Sequence, residues 1–241
     1  KSPDKFLSRI DGLLSLSNST HHRSPLLALK AKTLKAKGKI EQYNKLQRQL
    51  YVQEPLGYQS PKKLPSSIQL TIEDRLHRAQ RLLDAHRNES AIQTLIPIPL
   101  KDLHGENKCH YYFIAGMAHR KLHHYARAEI RLVKAASMCK NQYRKRIAMF
   151  VAAKVISIID GLRALPTIEK FIKTFPKHTM VDDVLFWAGD LYQRRDRTKE
   201  AIYHFKRAEN ISPPGDMCGE SRWRRAWMSF KSKQYKQANK I

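Results

Sequence analysis

The sequence predicts an all-α fold, a solenoid of antiparallel helix hairpins. Three observations predict it. Between Asp182 and Pro213, Leu185, Ala188, Gly189 and Tyr192 fall on one helical stripe, and Ala201, Phe205 and Ala208 fall on another. The polar stretch from Gln193 to Thr198 separates them as a turn. The same order then recurs upstream in Tyr112, Ala115, Gly116, Ala128, Leu132 and Ala135, with Gly116 and Gly189 lying 73 residues apart. Finally, only 9 of 241 residues are Gly while 41% are hydrophobic, which fits a folded helical chain. The small residues let two helix backbones approach closely, and the large ones fill the space beside them.

This order of small and large side chains resembles the tetratricopeptide repeat, a helix-turn-helix unit of about 34 residues. Counting Asp182 as the first position, Leu185, Ala188, Gly189, Tyr192, Ala201, Phe205, Ala208 and Pro213 fall in register. The resemblance implies a right-handed superhelical solenoid whose concave face suits extended ligands.

Taken in order, Asp4 is read as a helix N-cap ahead of Phe6, Leu7, Ile10, Leu13 and Leu14. Ser15 to Ser24 reads as a loop. His21 and His22 within it point to opposite sides of any regular element and make no metal site. Ser24 is read as the next cap, with Pro25 in the first turn. Leu26, Leu27, Leu29, Ala31 and Leu34 form an apolar face, Gly38 breaks the helix, and Tyr43, Leu46 and Leu50 face inward on its successor. Residues 1–53 are thus expected to be N-terminal helical hairpins. Residues 54–67 hold Pro55, Gly57, Pro61 and Pro65 and read as a linker. Residues 68–241 are expected to be the repeat array.

Within that array, residues 68–100 form a degenerate repeat, with Ala79, Leu82, Ala91 and Leu95 at packing positions, Asn88 at the turn, and Pro97 and Pro99 ending the second helix. His119 stands in the next repeat where Tyr is usual, and reads as a packed residue. From Gln142 to Pro176, Ile147, Phe150, Val151, Val155 and Ile158 are expected to form a long apolar helix face. Asp160-Gly161 ends that helix, and Leu165, Ile168, Phe171 and Ile172 form the return helix. A last, partial unit places Trp223, Ala226 and Phe230 at the repeat spacing, with Trp227 where Gly189 stood. Its partner helix starts at Gln234 and is cut off by the chain end, which leaves the three large aromatics partly uncovered. A chain that opens on Lys1 and stops inside a helix pair is expected to be a processed or truncated product.

The net charge of +25 attracts polyanions, although the basic residues are spread along the whole chain as solvated helix faces would spread them. No stretch reaches the roughly 20 apolar residues of a membrane span. The run from Ile147 to Ile159 is broken by Lys154 and reads as a buried helix. Cys109 and Cys139 fall at the same end of one expected hairpin, and a disulfide there needs Cα atoms within about 7 Å. Two buried free thiols are the expected state. Phosphate-binding glycine loops, zinc-protease motifs and serine-hydrolase motifs are all missing, so no catalytic site, cofactor or metal is expected. Asp182-Asp183, an adjacent carboxylate pair, reads as capping at a helix N-terminus.

Phe175-Pro176-Lys177-His178, then Val181-Asp182-Asp183 through Gly189-Asp190-Leu191-Tyr192, is similar to repeats of bacterial envelope proteins, among them the superhelical regions of soluble lytic murein transglycosylases. Arg222-Trp223-Arg224-Arg225-Ala226-Trp227, followed by Tyr235 and Ala238, is similar to the helices upstream of the catalytic domain in that family. The match covers roughly residues 168–241. It implies a non-catalytic, periplasmic arm that holds or positions peptidoglycan for a lysozyme-like domain. Glu220-Ser221 lacks the Gly-Leu-Met-Gln segment of the family's catalytic motif, so no catalytic residue carries over. The alternative function is a tetratricopeptide-repeat scaffold of the bacterial envelope that binds a protein partner. Nucleic acid ranks last as a ligand, because the aromatics sit at packing positions. Lys108, Arg120, Arg194 and Arg222, polar positions of the first helices, are the candidate substrate-binding residues.

Overall fold

The computed structural model describes residues 3–16, 20–57, 60–212 and 214–241, without the side chains of residues 3 and 20–22. The described residues form thirteen α-helices, two short 3-10 helices and no strand. They fall into two compact units, Lys1–Leu122 and His123–Ile241. The first holds α1 (Pro3–Leu16), α2 (Thr20–Ala36), α3 (Ile40–Gln53), α4 (Ile72–Asp84), α5 (Asn88–Leu95) and α6 (Gly105–Lys121). The second holds α7 (Tyr125–Met138), α8 (Gln142–Ile159), α9 (Leu165–Thr174), α10 (Val181–Gln193), α11 (Thr198–Glu209), α12 (Met217–Lys231) and α13 (Tyr235–Ala238).

One connection recurs through both units. Gly38, His86, His123, Asp196 and Lys233 are all left-handed, with φ of 71°, 59°, 59°, 57° and 59°. Each is followed by a residue near φ −85° and ψ 63°, namely Lys39, Arg87, His124, Arg197 and Gln234. At His86 the backbone N–H reaches Leu83 O at 3.1 Å, and the next N–H reaches Leu82 O at 2.8 Å. The same two bonds recur at Gly38, Asp196 and Lys233. This is the Schellman ending, which satisfies the last helical carbonyls. His86 and His123 lie 37 residues apart, as do Asp196 and Lys233, and His123 and Asp196 lie 73 apart. The hairpin period is therefore near 37 and not 34. The α8–α9 hairpin fills the long interval, with a 3-10 turn at Gly161–Ala164 in place of the left-handed residue.

In the first unit α1 packs on α2, α2 on α3 and α3 on α4. Leu7, Ile10, Leu14, Leu27, Ala31, Leu34, Leu46 and Leu50 make one core, and Leu76, Ala79, Leu82, Ala91, Leu95, Ile98, Leu103 and Ile114 another. Thr71 opens α4 with a capping box. Its hydroxyl accepts from Asp74 N at 3.2 Å, and its own N–H donates to Asp74 Oδ2 at 2.9 Å. Arg48 of α3 donates to that carboxylate at 2.7 Å, and the Arg78 guanidinium stacks 3.6 Å from the Tyr51 ring centre. These contacts join α3 to α4 across residues 54–67, whose described part holds no α-helix.

Two N-terminal expectations are corrected. Asp4 is not a cap but lies in the first turn of a helix that starts at Pro3, where the Lys37 ammonium holds its carboxyl below the ordinary value. Ser24 is not a cap either. The helix already runs from Thr20, so the expected loop is shorter, Ser24 is buried, and Pro25 lies inside the helix. A proline this near a helix start removes only one backbone bond, which the packing of Leu27, Ala31 and Leu34 outweighs. The histidine-pair expectation lies outside the described residues as far as the His21 and His22 side chains are concerned. The helix stop assigned to Pro213 also lies outside them.

In the second unit successive helices pack in chain order, and α10 also packs on both α8 and α12. Met149, Ala153, Ile156, Ile168, Phe171, Val184, Leu185 and Ala188 form its main core. The predicted face of α8 is corrected: Ile158 is exposed, while Ala148, Met149, Ala152, Ala153, Val155 and Ile156 are buried. A helix apolar almost all round gives no stripe to read, and its alanines admit the closest neighbours. The cysteine expectation is corrected too. Cys109 and Cys139 are each disulfide-bonded, and Cys218 is the free thiol.

Candidate functional site

The α12 helix has two unlike faces. Its inner face carries Ser221, Met228 and Ser229, all buried, and Met228 closes a small core with Ala201 and Phe205. Its other face carries Trp223, Trp227 and Phe230, spaced four and three residues apart so that they stand above one another. They are 54%, 43% and 50% exposed, and Tyr235 at the start of α13 is 54% exposed. The indoles of Trp223 and Trp227 are nearly parallel, at 4° and 6.1 Å between centres. Trp227 and Phe230 follow at 15° and 5.7 Å, and Tyr235 meets Phe230 edge-on at 5.4 Å. The result is a continuous exposed aromatic ladder, an arrangement that soluble proteins keep small unless something docks there.

Cations frame the ladder. The Arg224 guanidinium lies 5.6 Å from the Trp223 ring centre. Lys231, Lys233, Lys236 and Lys240, in the same stretch of chain, are exposed. Arg222 and Arg225 are engaged with Glu209 of α11, at 3.0 Å and 2.7 Å, which fixes α12 against its neighbour.

The four residues expected from the sequence do not form one site. Lys108 and Arg120 sit near opposite ends of α6 and are half-buried. In the second unit, Arg194 caps the C-terminus of α10 and pairs with Asp190 at 2.7 Å. Of the four, only Arg222 borders the ladder. A separate open cavity of 390 Å³ in the first unit is lined by Tyr51, Lys63, Leu64, Ile68, Gln69, Leu70 and Arg75.

Asp182 and Asp183 do lie in the first turn of α10. Asp182, however, caps a different helix: its Oδ2 accepts from the Met217 N–H of α12 at 2.9 Å. Burial pushes the Asp183 carboxyl up to about 6, with the Asp182 and Asp216 carboxylates adding to the rise and Lys154 opposing it. The approach of Asp216 was not legible, because the turn that carries it back to α10 is set by packing. None of the described helices is long and apolar enough to cross a membrane.

No family model matches the chain, and no curated protein sequence matches it. Solved structures do. A double mutant of MamA (MamA RS-1 ArsTM) is 18% identical over 70% of this chain and 89% of that one, with a TM-score of 0.54. RapI in its apo form is 15% identical over 98% of this chain and 67% of that one, with a TM-score of 0.60. A tetratricopeptide repeat protein from Parabacteroides merdae overlaps less well, at 16% identity over 91% and 76% of the two chains and a TM-score of 0.41. The fold is a tetratricopeptide-like array of helical hairpins. At these identities the likeness concerns the fold alone.

Proposed function

We propose that the chain is a repeat scaffold that docks a protein partner, and that the aromatic face of α12 and α13 is a docking edge. The observation that carries this is the stacked, half-exposed ladder of Trp223, Trp227, Phe230 and Tyr235. Residues 217–241 hold seven Lys or Arg and one Glu, so the partner surface that fits is acidic. An amphipathic helix with apolar anchors at helical spacing and a rim of Asp and Glu matches both features.

Titrating the chain with two designed helices tests this, both with one apolar face and with either a Glu or a Lys rim. The Glu helix is expected to bind with a change in tryptophan fluorescence, and Trp227→Ala is expected to weaken it about 10-fold or more. Failure of the Glu helix to bind, or equal binding of both helices, counts against the proposal.

A second reading rests on the 175–192 and 220–238 resemblances: the non-catalytic arm of a periplasmic lytic transglycosylase. The disulfide-bonded state of Cys109 and Cys139 supports an oxidising compartment such as the periplasm. Peptidoglycan peptides carry carboxylates that suit a basic chain. Retention on purified sacculi at low salt, released by added salt, is the expected result. Passage straight through sinks this reading and leaves the protein-docking one standing.

A further inference from the structure

Three carboxylates converge where the first turn of α10 meets the start of α12. Asp182, Asp183 and Asp216 each place an oxygen within 4.8 Å of the others. Acidic residues at helix N-termini are ordinary, since each is favoured by its own helix dipole. What is not ordinary is the state of Asp182. It is 1% exposed, and only one of its oxygens has a donor, the Met217 N–H. The other, Oδ1, is buried with no hydrogen-bond partner. An ionised carboxylate is acceptor-only, so an oxygen buried without a donor loses the hydrogen bonds water would give it. The neighbouring chain is shaped around it: a Cβ added at Gly215 would lie 2.0 Å from Asp182 Oδ2, so only glycine permits the approach.

No basic side chain ion-pairs with the trio among the described contacts. Lys154 is the cation acting on Asp183, and it opposes only part of the mutual repulsion. The arginines of α12 and Arg207 of α11 are turned elsewhere: Arg222 and Arg225 to Glu209, Arg224 to Glu220, and Arg207 to Glu169. In a chain of net charge +25, three adjacent carboxylates without an ion-paired base are a local exception.

We propose that Asp182, Asp183 and Asp216 bind a hard divalent cation of the calcium or manganese kind, joining the first turn of α10 to the start of α12. The donor set is all oxygen, which selects Ca²⁺, Mg²⁺ or Mn²⁺ over softer metals. Asp182 supplies a buried ligand, Asp183 a half-buried one and Asp216 an exposed one, so the open side takes water. Ca²⁺ tolerates such irregular geometry, whereas Mg²⁺ demands a near-octahedral one. The ion satisfies the orphaned oxygen and removes the repulsion among the three. Because α10 and α12 already pack together, its effect is to stiffen that contact.

The test is calorimetric titration of the chelator-treated chain with CaCl2 and with MnCl2, alongside thermal unfolding at matched ionic strength. One saturable site per chain is expected, with a rise in Tm of roughly 2–8 °C at saturation. Asp216 is exposed and makes no side-chain cap bond at the start of α12, so Asp216→Asn is expected to fold as the parent does, yet to bind at least about 10-fold more weakly. Asp183→Asn, at a part-exposed position, gives a second variant with the same expectation. The proposal is overturned if neither ion gives saturable heat up to about 10 mM, beyond the weakest protein calcium sites. It is equally overturned if both variants bind as tightly as the parent chain.

Discussion

The α10–α11 hairpin and the α12–α13 hairpin share one kind of left-handed turn and place their large aromatic residues on different sides of it. In the first, Leu185, Ala188, Gly189 and Tyr192 face Ala201, Phe205 and Ala208, and Phe205 is fully buried. Gly189 is there because the Phe205 ring lies where a side chain would go: a Cβ would meet ring atoms at 2.6 Å and 2.7 Å. In the second, the turn at Lys233 answers to the turn at Asp196, and Ser229 accepts the bond that Tyr192 accepts, so Arg222, Arg225, Ala226 and Ser229 hold the same four places. The expectation that Trp227 stands where Gly189 does is corrected, and Trp223, Trp227 and Phe230 each lie one position further on. These three aromatics stand about half exposed. One position along a helix turns a side chain by about 100°, which is enough to carry the aromatics off the inner stripe that Ser229 keeps. Glycine is required only where the next helix is close.

The largest break in this comparison comes from Phe205→Ala. It removes the ring that α10, α11 and Met228 share, and is expected to cost about 3–5 kcal/mol in urea unfolding. Next is Gly189→Ala. Alanine gains up to about 1 kcal/mol in helix propensity, but the boxed-in ring has nowhere to move, so a net loss of about 1–3 kcal/mol is expected. A net gain there would show that the two hairpins differ less than their packing implies.

A smaller effect sharpens the first hairpin alone. His204 is buried, stacks on Tyr192 at 5.3 Å, and leaves Nδ1 without a hydrogen-bond partner. Burial, helped by Arg207 and opposed by Glu169, lowers its pKa from 6.5. The unfolded chain then takes up the proton first as pH falls, so the contribution is present above pH 6.5 and is lost on acidification below it. His204→Phe keeps a ring against Tyr192 and should flatten the urea midpoint between pH 7.5 and 5.5 relative to the parent. Parallel profiles for the two proteins would remove His204 from the account. The smallest effect is on the open side: Trp227→Ala is expected to change stability by about 0.5 kcal/mol or less. A loss as large as that of Phe205→Ala would mean the ladder is core and not a docking edge.

The candidate docking edge was half legible in the sequence. The spacing of Trp223, Trp227 and Phe230 announced one helical face but set it one position off the register of the Lys233 turn, and Arg224 beside it was lost in a chain basic throughout. Lys108, Arg120 and Arg194 were chosen by helix position alone, which says nothing of what lies opposite. Arg194, for instance, is taken up by Asp190 one turn away.

The sequence by itself determined the hairpins. Small and large residues at helical spacing, as in Ala79, Leu82, Ala91 and Leu95, dictate which faces bury, because the spacing of a helical stripe is a local property. It did not determine the turns, where His86, His123, Asp196 and Lys233 take a conformation that glycine prefers. The left-handed penalty, roughly 1–2 kcal/mol per residue, is outweighed there by the packing of the helices on either side. Nor did it determine the buried face of α8, since an all-round apolar helix is oriented only by its neighbours. The meeting of Asp182, Asp183 and Asp216 was likewise decided by tertiary structure: carboxylates more than thirty positions apart become neighbours only when α12 packs on α10.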